Sequence, residues 1–169
     1  MDKEFLLVDG YNLIFQAPEL KTLGDLEHAR TRLVDLLINY AALSGQKVTV
    51  VFDAHHVPGG TTRVTEESGV TVIYTAEGET ADSVIERKAG ELAKEGLVYV
   101  VTADYAEQRV VLGQGAYRMP PGEFWQRVKA LSQQAAYRPG EKQAERYLEE
   151  RLTQDIRKEL DAWRRGKTM

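Results

Sequence analysis

The chain has 169 residues and no cysteine, is 43% hydrophobic, and carries 22 Lys and Arg against 26 Asp and Glu, a net charge of −4. That is enough chain for one domain with a substantial core and no covalent staples. Disulfides, thiolate nucleophiles and cysteine-ligated zinc are excluded, and the acidic balance argues against binding nucleic acid by bulk charge.

No apolar run reaches the roughly 18 residues of a membrane span. The start, Met1-Asp2-Lys3-Glu4, has neither the basic nor the apolar region of a signal peptide. The expectation is a soluble, cytoplasmic protein with no membrane partner; its oligomeric state stays open. The charge is uneven: from Pro139 to Met169 there are 8 Lys and Arg and 7 Asp and Glu, so the rest holds 14 basic and 19 acidic residues, a net of −5. Such acidity can be offset by bound cations.

In chain order, Phe5 to Val8 is a short apolar run ending at Asp9-Gly10, the pattern of a buried strand. Between Asp25 and Ser44, Leu26, Ala29, Leu33, Leu36, Leu37 and Tyr40 recur at helical spacing, with Asp25 as N-cap and Gly45 as C-cap. Val48 to Phe52 is a second apolar run, ending at Asp53. Ala54 to Gly69 contains Pro58-Gly59-Gly60 and reads as a long loop with room for a short hairpin. Val70 to Tyr74 is a third strand, and Thr80 caps a helix running to about Lys94. Leu97 to Val101 is a fourth strand, followed by Thr102-Ala103-Asp104 and a helix to about Leu112. Ala116 to Met119 fits a short edge strand. Pro120-Pro121-Gly122 breaks the chain before a helix over Phe124 to Ala135.

Continuous apolar strands alternating with helices predict an open, mainly parallel α/β sheet covered on both faces. The expected main body is residues 1–138. Beyond Pro139-Gly140, residues 139–169 form an extension in which Tyr147, Leu148, Leu152, Ile156, Leu160 and Trp163 step by three or four. That spacing predicts a long C-terminal helix with one narrow apolar stripe, packed on the domain or docked on a partner.

The chemistry lies at the strand ends. Asp9, Asp53 and Asp104 each close an apolar run, and in an open α/β sheet these ends converge on the ligand crevice. Asp82, opening a helix after another strand, falls on the same rim. Grouped carboxylates repel one another and raise each other's pKa, an arrangement that a hard cation such as Mg²⁺ or Mn²⁺ explains. Such an ion activates water and stabilises the leaving oxygen of a phosphodiester.

Each residue alone also has a plainer reading. Asp104 with Glu107 fits a capping box, Asp82 suits a helix first turn, and Asp9 and Asp53 suit turns. The conjunction of all four on one rim carries the metal reading. Asn12, three residues after Asp9, either reaches the scissile phosphate or a cation-bound water, or forms an Asx turn. Thr102 and Gln108 flank Asp104. His55-His56 lacks the partners of a zinc site; with Arg63 it is better suited to touching RNA. Tyr11, Tyr105 and Trp125 are candidates to stack on bases, with core packing as the competing use. No phosphate-binding loop, dinucleotide fingerprint or nucleophile elbow occurs.

Val8-Asp9-Gly10-Tyr11-Asn12, Val51-Phe52-Asp53-Ala54, Thr80-Ala81-Asp82 and Thr102-Ala103-Asp104 resemble, in the same order, the NYN nuclease domains of the PIN-like superfamily, and most nearly their bacterial YacP-like branch. The resemblance runs from about Phe5 to the final helix. It implies a PIN-like fold, Mg²⁺ or Mn²⁺ as cofactor, and endonucleolytic cleavage of RNA, with mRNA on the ribosome as substrate context. Carried over by position, Asp9, Asp53, Asp82 and Asp104 are the metal-binding acids and Asn12 stands beside them as part of the catalytic set. The hydroxyl residue that often directly precedes the last acid of related nucleases is Ala103 here, with Thr102 one step earlier. The expected reaction is phosphodiester hydrolysis leaving 5′-phosphate and 3′-hydroxyl ends. Two rivals remain: a non-catalytic RNA- or ribosome-binding module of the same fold, and a metal-dependent phosphatase. The second is weakened because Tyr11 stands where a nucleophilic-aspartate phosphatase needs a second acid.

Overall fold

The computed structural model describes residues 3–53, 61–103, 113, 115–136, 154, 156, 158 and 159. Its first strand, β1 (Lys3–Asp9), lies inside the sheet. Successive side chains of a strand point to opposite faces. Leu6 and Val8 accordingly join one buried cluster, and Phe5 and Leu7 the other. A strand with no polar face has to be covered on both sides.

The first face is covered by the segment after β1 and by a late helix. α1 (Gly10–Gln16), α2 (Pro18–Lys21) and α3 (Leu26–Ser44) lead to β2 (Lys47–Phe52). The periodicity of residues 25–44 is realised as α3, which buries Ala29, Leu33, Val34, Leu37 and Tyr40. The Asp25 carboxylate accepts from the Glu27 N–H at 3.0 Å, and Gly45 closes the helix in the left-handed region at φ 74°, as expected of such caps. α1 and α2 fill residues 10–21, for which the sequence suggested no element. Both are too short to show a period, and α1 owes its start to Asp9, which acts as its N-cap.

β3 (Arg63–Glu67) and β4 (Val70–Tyr74) form a hairpin; the segment 54–69, read as a loop with room for a hairpin of its own, instead supplies one strand that pairs with the strand expected at Val70–Tyr74. Its two-residue turn, Ser68-Gly69, has φ of 49° and 90°, the positive values that match the twist of paired strands. β3 is exposed along its length and rich in charge, a protected sheet edge. α4 (Ala81–Leu92) covers the second face through Val84, Ile85 and Ala89. It leads to β5 (Gly96–Val101), and β6 (Tyr117–Met119) is the edge strand expected there. α5 (Pro121–Ala136) begins at Pro121, inside the tripeptide expected to break the chain. Proline suits the first helical position because its missing N–H would have no intrahelical acceptor there. Phe124, Trp125 and Val128 of α5 are buried in the first cluster.

The strand order is β3-β4-β2-β1-β5-β6, parallel throughout except for β3 against β4. Winding proceeds outward from β1 through β2 to β4 and then crosses back to β5. The reversal therefore falls between β1 and β5, where open α/β sheets bind ligands at the strand C-terminal ends.

The chain divides into two compact units, Met1–Leu131 and Ser132–Met169. In the second, Gln154, Ile156, Lys158 and Glu159 are helical; the rest of the helix expected over 141–165 lies outside the described residues. Among the described residues no helix is long and apolar enough to cross a membrane.

Candidate active site

The parallel register sets the site. Asp9 pairs with Val51 across β1 and β2, and Val8 pairs with Val101 across β1 and β5. Asp9, Asp53 and Thr102 therefore leave the sheet at the same end. Thr80 brings a helix start to that end, its hydroxyl accepting from the Ser83 N–H at 3.1 Å. Asp82 follows in the first turn of α4. The result is an open cleft of about 330 Å³ lined by Asp9, Asn12, Asp53 and Asp82, with Thr80, Ala81, Tyr11 and Phe15 completing its walls.

Asp9 is 6% exposed and is held at both oxygens. Its Oδ1 accepts from the Asn12 N–H at 3.3 Å and its Oδ2 from the Asn12 side-chain amide at 2.9 Å. The two uses foreseen for Asn12, Asx-type capping and a place in the site, coincide in one residue: it closes the turn onto Asp9 and lines the cleft. Burial pushes the Asp9 carboxyl above the usual carboxylate range, the bonds from Asn12 oppose that, and the charges of Asp82 and Asp53 add to it. Asp53 accepts from the Ala81 N–H at 3.4 Å, so a strand-end carboxylate meets the positive end of the α4 dipole.

These carboxylates are oxygen donors of the kind that Mg²⁺ and Mn²⁺ take. Among the described residues no group of three His, Cys, Asp or Glu side chains is gathered tightly enough to cage an ion. Mg²⁺ needs no such cage, since it binds through one or two carboxylates and retains waters. Burial first, and then the charges of Asp82 and Asp53, raise the Asp9 carboxyl, and carboxylate oxygens of this kind are donors that a divalent ion takes.

Asp104, Tyr105, Gln108, His55 and His56 lie outside the described residues. Thr102 is fully buried, and its backbone joins the β5–β6 seam: its N–H donates to the Met119 carbonyl at 3.3 Å and its carbonyl accepts from Arg118 Nε at 3.0 Å. Tyr11 and Trp125, considered for stacking on bases, are 5% and 4% exposed and belong to the core. Tyr11 turns its hydroxyl to Arg30, which donates to it at 2.9 Å. Phe15, not singled out from the sequence, is, among the described residues, the aromatic side chain exposed on the cleft wall. It follows Tyr11 by four positions, a spacing that becomes a signal once residues 10–16 are known to be helical.

A second hollow of about 360 Å³ lies between α3 and the β3–β4 hairpin. It mixes Arg30 and Arg63 with Glu27, Asp35 and Glu67, and it lacks the cluster of one charge sign that distinguishes the aspartate cleft.

The model of the YacP-like NYN domain family matches residues 6–165. YacP of Bacillus subtilis (strain 168) is 38% identical over 170 residues, covering 96% of this chain and 98% of that protein. The crystal structure of Rae1 (YacP) from Bacillus subtilis superposes with a TM-score of 0.72 at 36% identity, covering 98% of this chain and 96% of that one. A single-substitution mutant of the same protein gives a TM-score of 0.66 at 38% identity over 77% of each chain. The chain belongs to the YacP-like NYN domain family and has its PIN-like α/β fold.

Proposed function

We propose that this YacP-like NYN protein is a metal-dependent endoribonuclease that hydrolyses RNA phosphodiesters. The observation that carries the reading is the cleft in which Asp9, Asp53 and Asp82, delivered by β1, by the end of β2 and by the first turn of α4, face one volume. Asp9 is buried there against the repulsion of the other two. Separate turn and cap preferences do not bring such charges together, whereas a cation shared with a phosphate does.

In this reading Asp9, Asp53 and Asp104 hold Mg²⁺ or Mn²⁺ directly or through water, and Asp82 completes or orients the set. Bound there, the cation supplies Lewis-acid polarisation of the phosphate and neutralises charge at the leaving oxygen. The chain's own contribution is positioning. Asn12 fixes both oxygens of Asp9, and the Ala81 N–H holds Asp53, so the donors need little reorganisation when charge develops. Cleavage leaves 5′-phosphate and 3′-hydroxyl ends. The family resemblance supplies the context: mRNA on the ribosome, in the cytoplasm, with residues 139–169 as a helical extension.

Replacing Asp9 with Asn and assaying RNA cleavage with Mg²⁺ or Mn²⁺ tests the assignment. The expected result is loss of cleavage by a folded variant. Cleavage at the parental rate would refute it; RNA binding without metal-dependent cleavage in the parent would instead mark a binding module.

A further inference from the structure

We propose that Phe15 is the platform on which a nucleobase of single-stranded RNA stacks as the strand lies in the aspartate cleft. The proposal rests on the nuclease reading above and assigns a substrate contact to a residue outside the acidic motif.

Phe15 is 50% exposed and lines the same cleft as Asp9, Asp53 and Asp82. Leaving such a ring in water forgoes apolar burial, although Leu13 and Ile14 beside it are buried. The ring is also firmly backed. Tyr11, one helical turn earlier, is stacked against it at 6.3 Å between centroids and 27° between planes. Tyr11 is fixed in turn by the edge of Phe52 at 5.3 Å and by the hydrogen bond from Arg30. Phe52 stacks on Tyr74 at 5.5 Å, and the Arg63 guanidinium sits 5.3 Å from the Tyr74 centroid. An aromatic column thus runs from the cleft wall into the core, and Phe15 is its free end. A face held this way binds a flat partner with little loss of side-chain freedom.

The electrostatics select the same kind of contact. Three carboxylates repel a phosphodiester backbone that approaches without a cation, and the chain as a whole carries −4. Stacking on a base is insensitive to that charge and tolerant of sequence, because every base presents a π face.

The test uses the full chain carrying Asp9→Asn, to suppress cleavage, and a single-stranded oligoribonucleotide containing a fluorescent adenine analogue that stacking quenches. Binding to this parent is expected to quench the probe. Phe15→Ala should abolish the quench and weaken binding roughly tenfold. Phe15→Trp should restore both, Phe15→Leu should restore neither, and Leu97→Ala, at the opposite end of the sheet, should match the parent. A Phe15→Ala or Phe15→Leu variant that quenches and binds like the parent overturns the proposal, as does a parent that binds without quenching. The two readings separate cleanly. If cleavage depends on Asp9 while Phe15→Ala retains the quench in the Asp9→Asn chain and the KM in the chain with Asp9 intact, stacking falls and the nuclease stands. If the wild-type chain cuts nothing but the quench depends on Phe15, the nuclease falls and the stacking platform stands.

Discussion

Asn12 donates to both carboxylate oxygens of Asp9, from its backbone N–H at 3.3 Å and from its side-chain amide at 2.9 Å. One residue thereby fixes the rotation of a buried acid and starts the helix that carries the cleft wall. Groups that orient a ligating carboxylate typically matter ten- to a hundredfold for metal affinity or activity. Asn12→Ala is expected to lower kcat by roughly that factor and to weaken Mn²⁺ binding, with a smaller change in KM. Steady-state cleavage together with calorimetric Mn²⁺ titration checks it; an unchanged kcat and Mn²⁺ affinity would contradict the positioning role.

The pH dependence of stability follows from Asp9. Burial, opposed by the Asn12 bonds and reinforced by Asp82 and Asp53, raises its folded pKa above 3.8. The folded chain therefore holds this proton more tightly than the unfolded chain. Asp9's contribution to stability falls as pH rises from 3.8 through the folded value, and the penalty is present in full at neutral pH. Without divalent cation, Asp9→Asn should be more stable than the parent near pH 7 and should lose that advantage toward about pH 4. Urea denaturation at the two pH values measures it. A variant less stable than the parent near neutrality would show that burial and repulsion are not the dominant forces on this group.

Metal should reverse that order. An ion that binds only the folded chain stabilises it by about 2.7 kcal/mol at a hundredfold excess over Kd. Thermal unfolding of the wild-type chain should shift upward with Mn²⁺ or Mg²⁺ and return on chelation, while Asp9→Asn should shift little. Equal shifts in the two proteins would move the ion elsewhere.

Gly10 is required by packing. A Cβ placed on it would collide with Cε1 and Cδ1 of the Phe52 ring, and Phe52 is fully buried between Tyr11 and Tyr74. Gly10→Ala should cost roughly 1–3 kcal/mol, the usual range for overpacking, and should displace Asp9 and Asn12 together. Loss of stability with activity kept would show that Phe52 yields without disturbing the cleft.

Much of the sheet was legible in the sequence. The runs at Phe5–Val8, Val48–Phe52, Val70–Tyr74 and Leu97–Val101 are strands in the structure, and the spacing of residues 25–44 is α3. These segments are buried on two faces or one, so their side chains record the period directly. Residues 10–21 gave no such record. Seven- and four-residue helices complete too few turns for a stripe to repeat, and their existence depends on the Asp9 cap and on contacts with the rest of the core. That omission also hid Phe15; of the three aromatic residues weighed for stacking against core packing, Tyr11 and Trp125 are in the core and Tyr105 lies outside the described residues.

The sequence by itself determined the alternation of apolar runs and helices and the aspartates that close or follow them, because strand ends, caps and periodicity are local properties. It could not determine which carboxylates share a volume. The parallel register of β1 with β2, and the start of α4 at Thr80, bring Asp9, Asp53 and Asp82 to one cleft. Only the tertiary structure decided that Asn12 turns back onto Asp9 while Phe15 faces outward, since both depend on a helix nucleated where strand and cap meet.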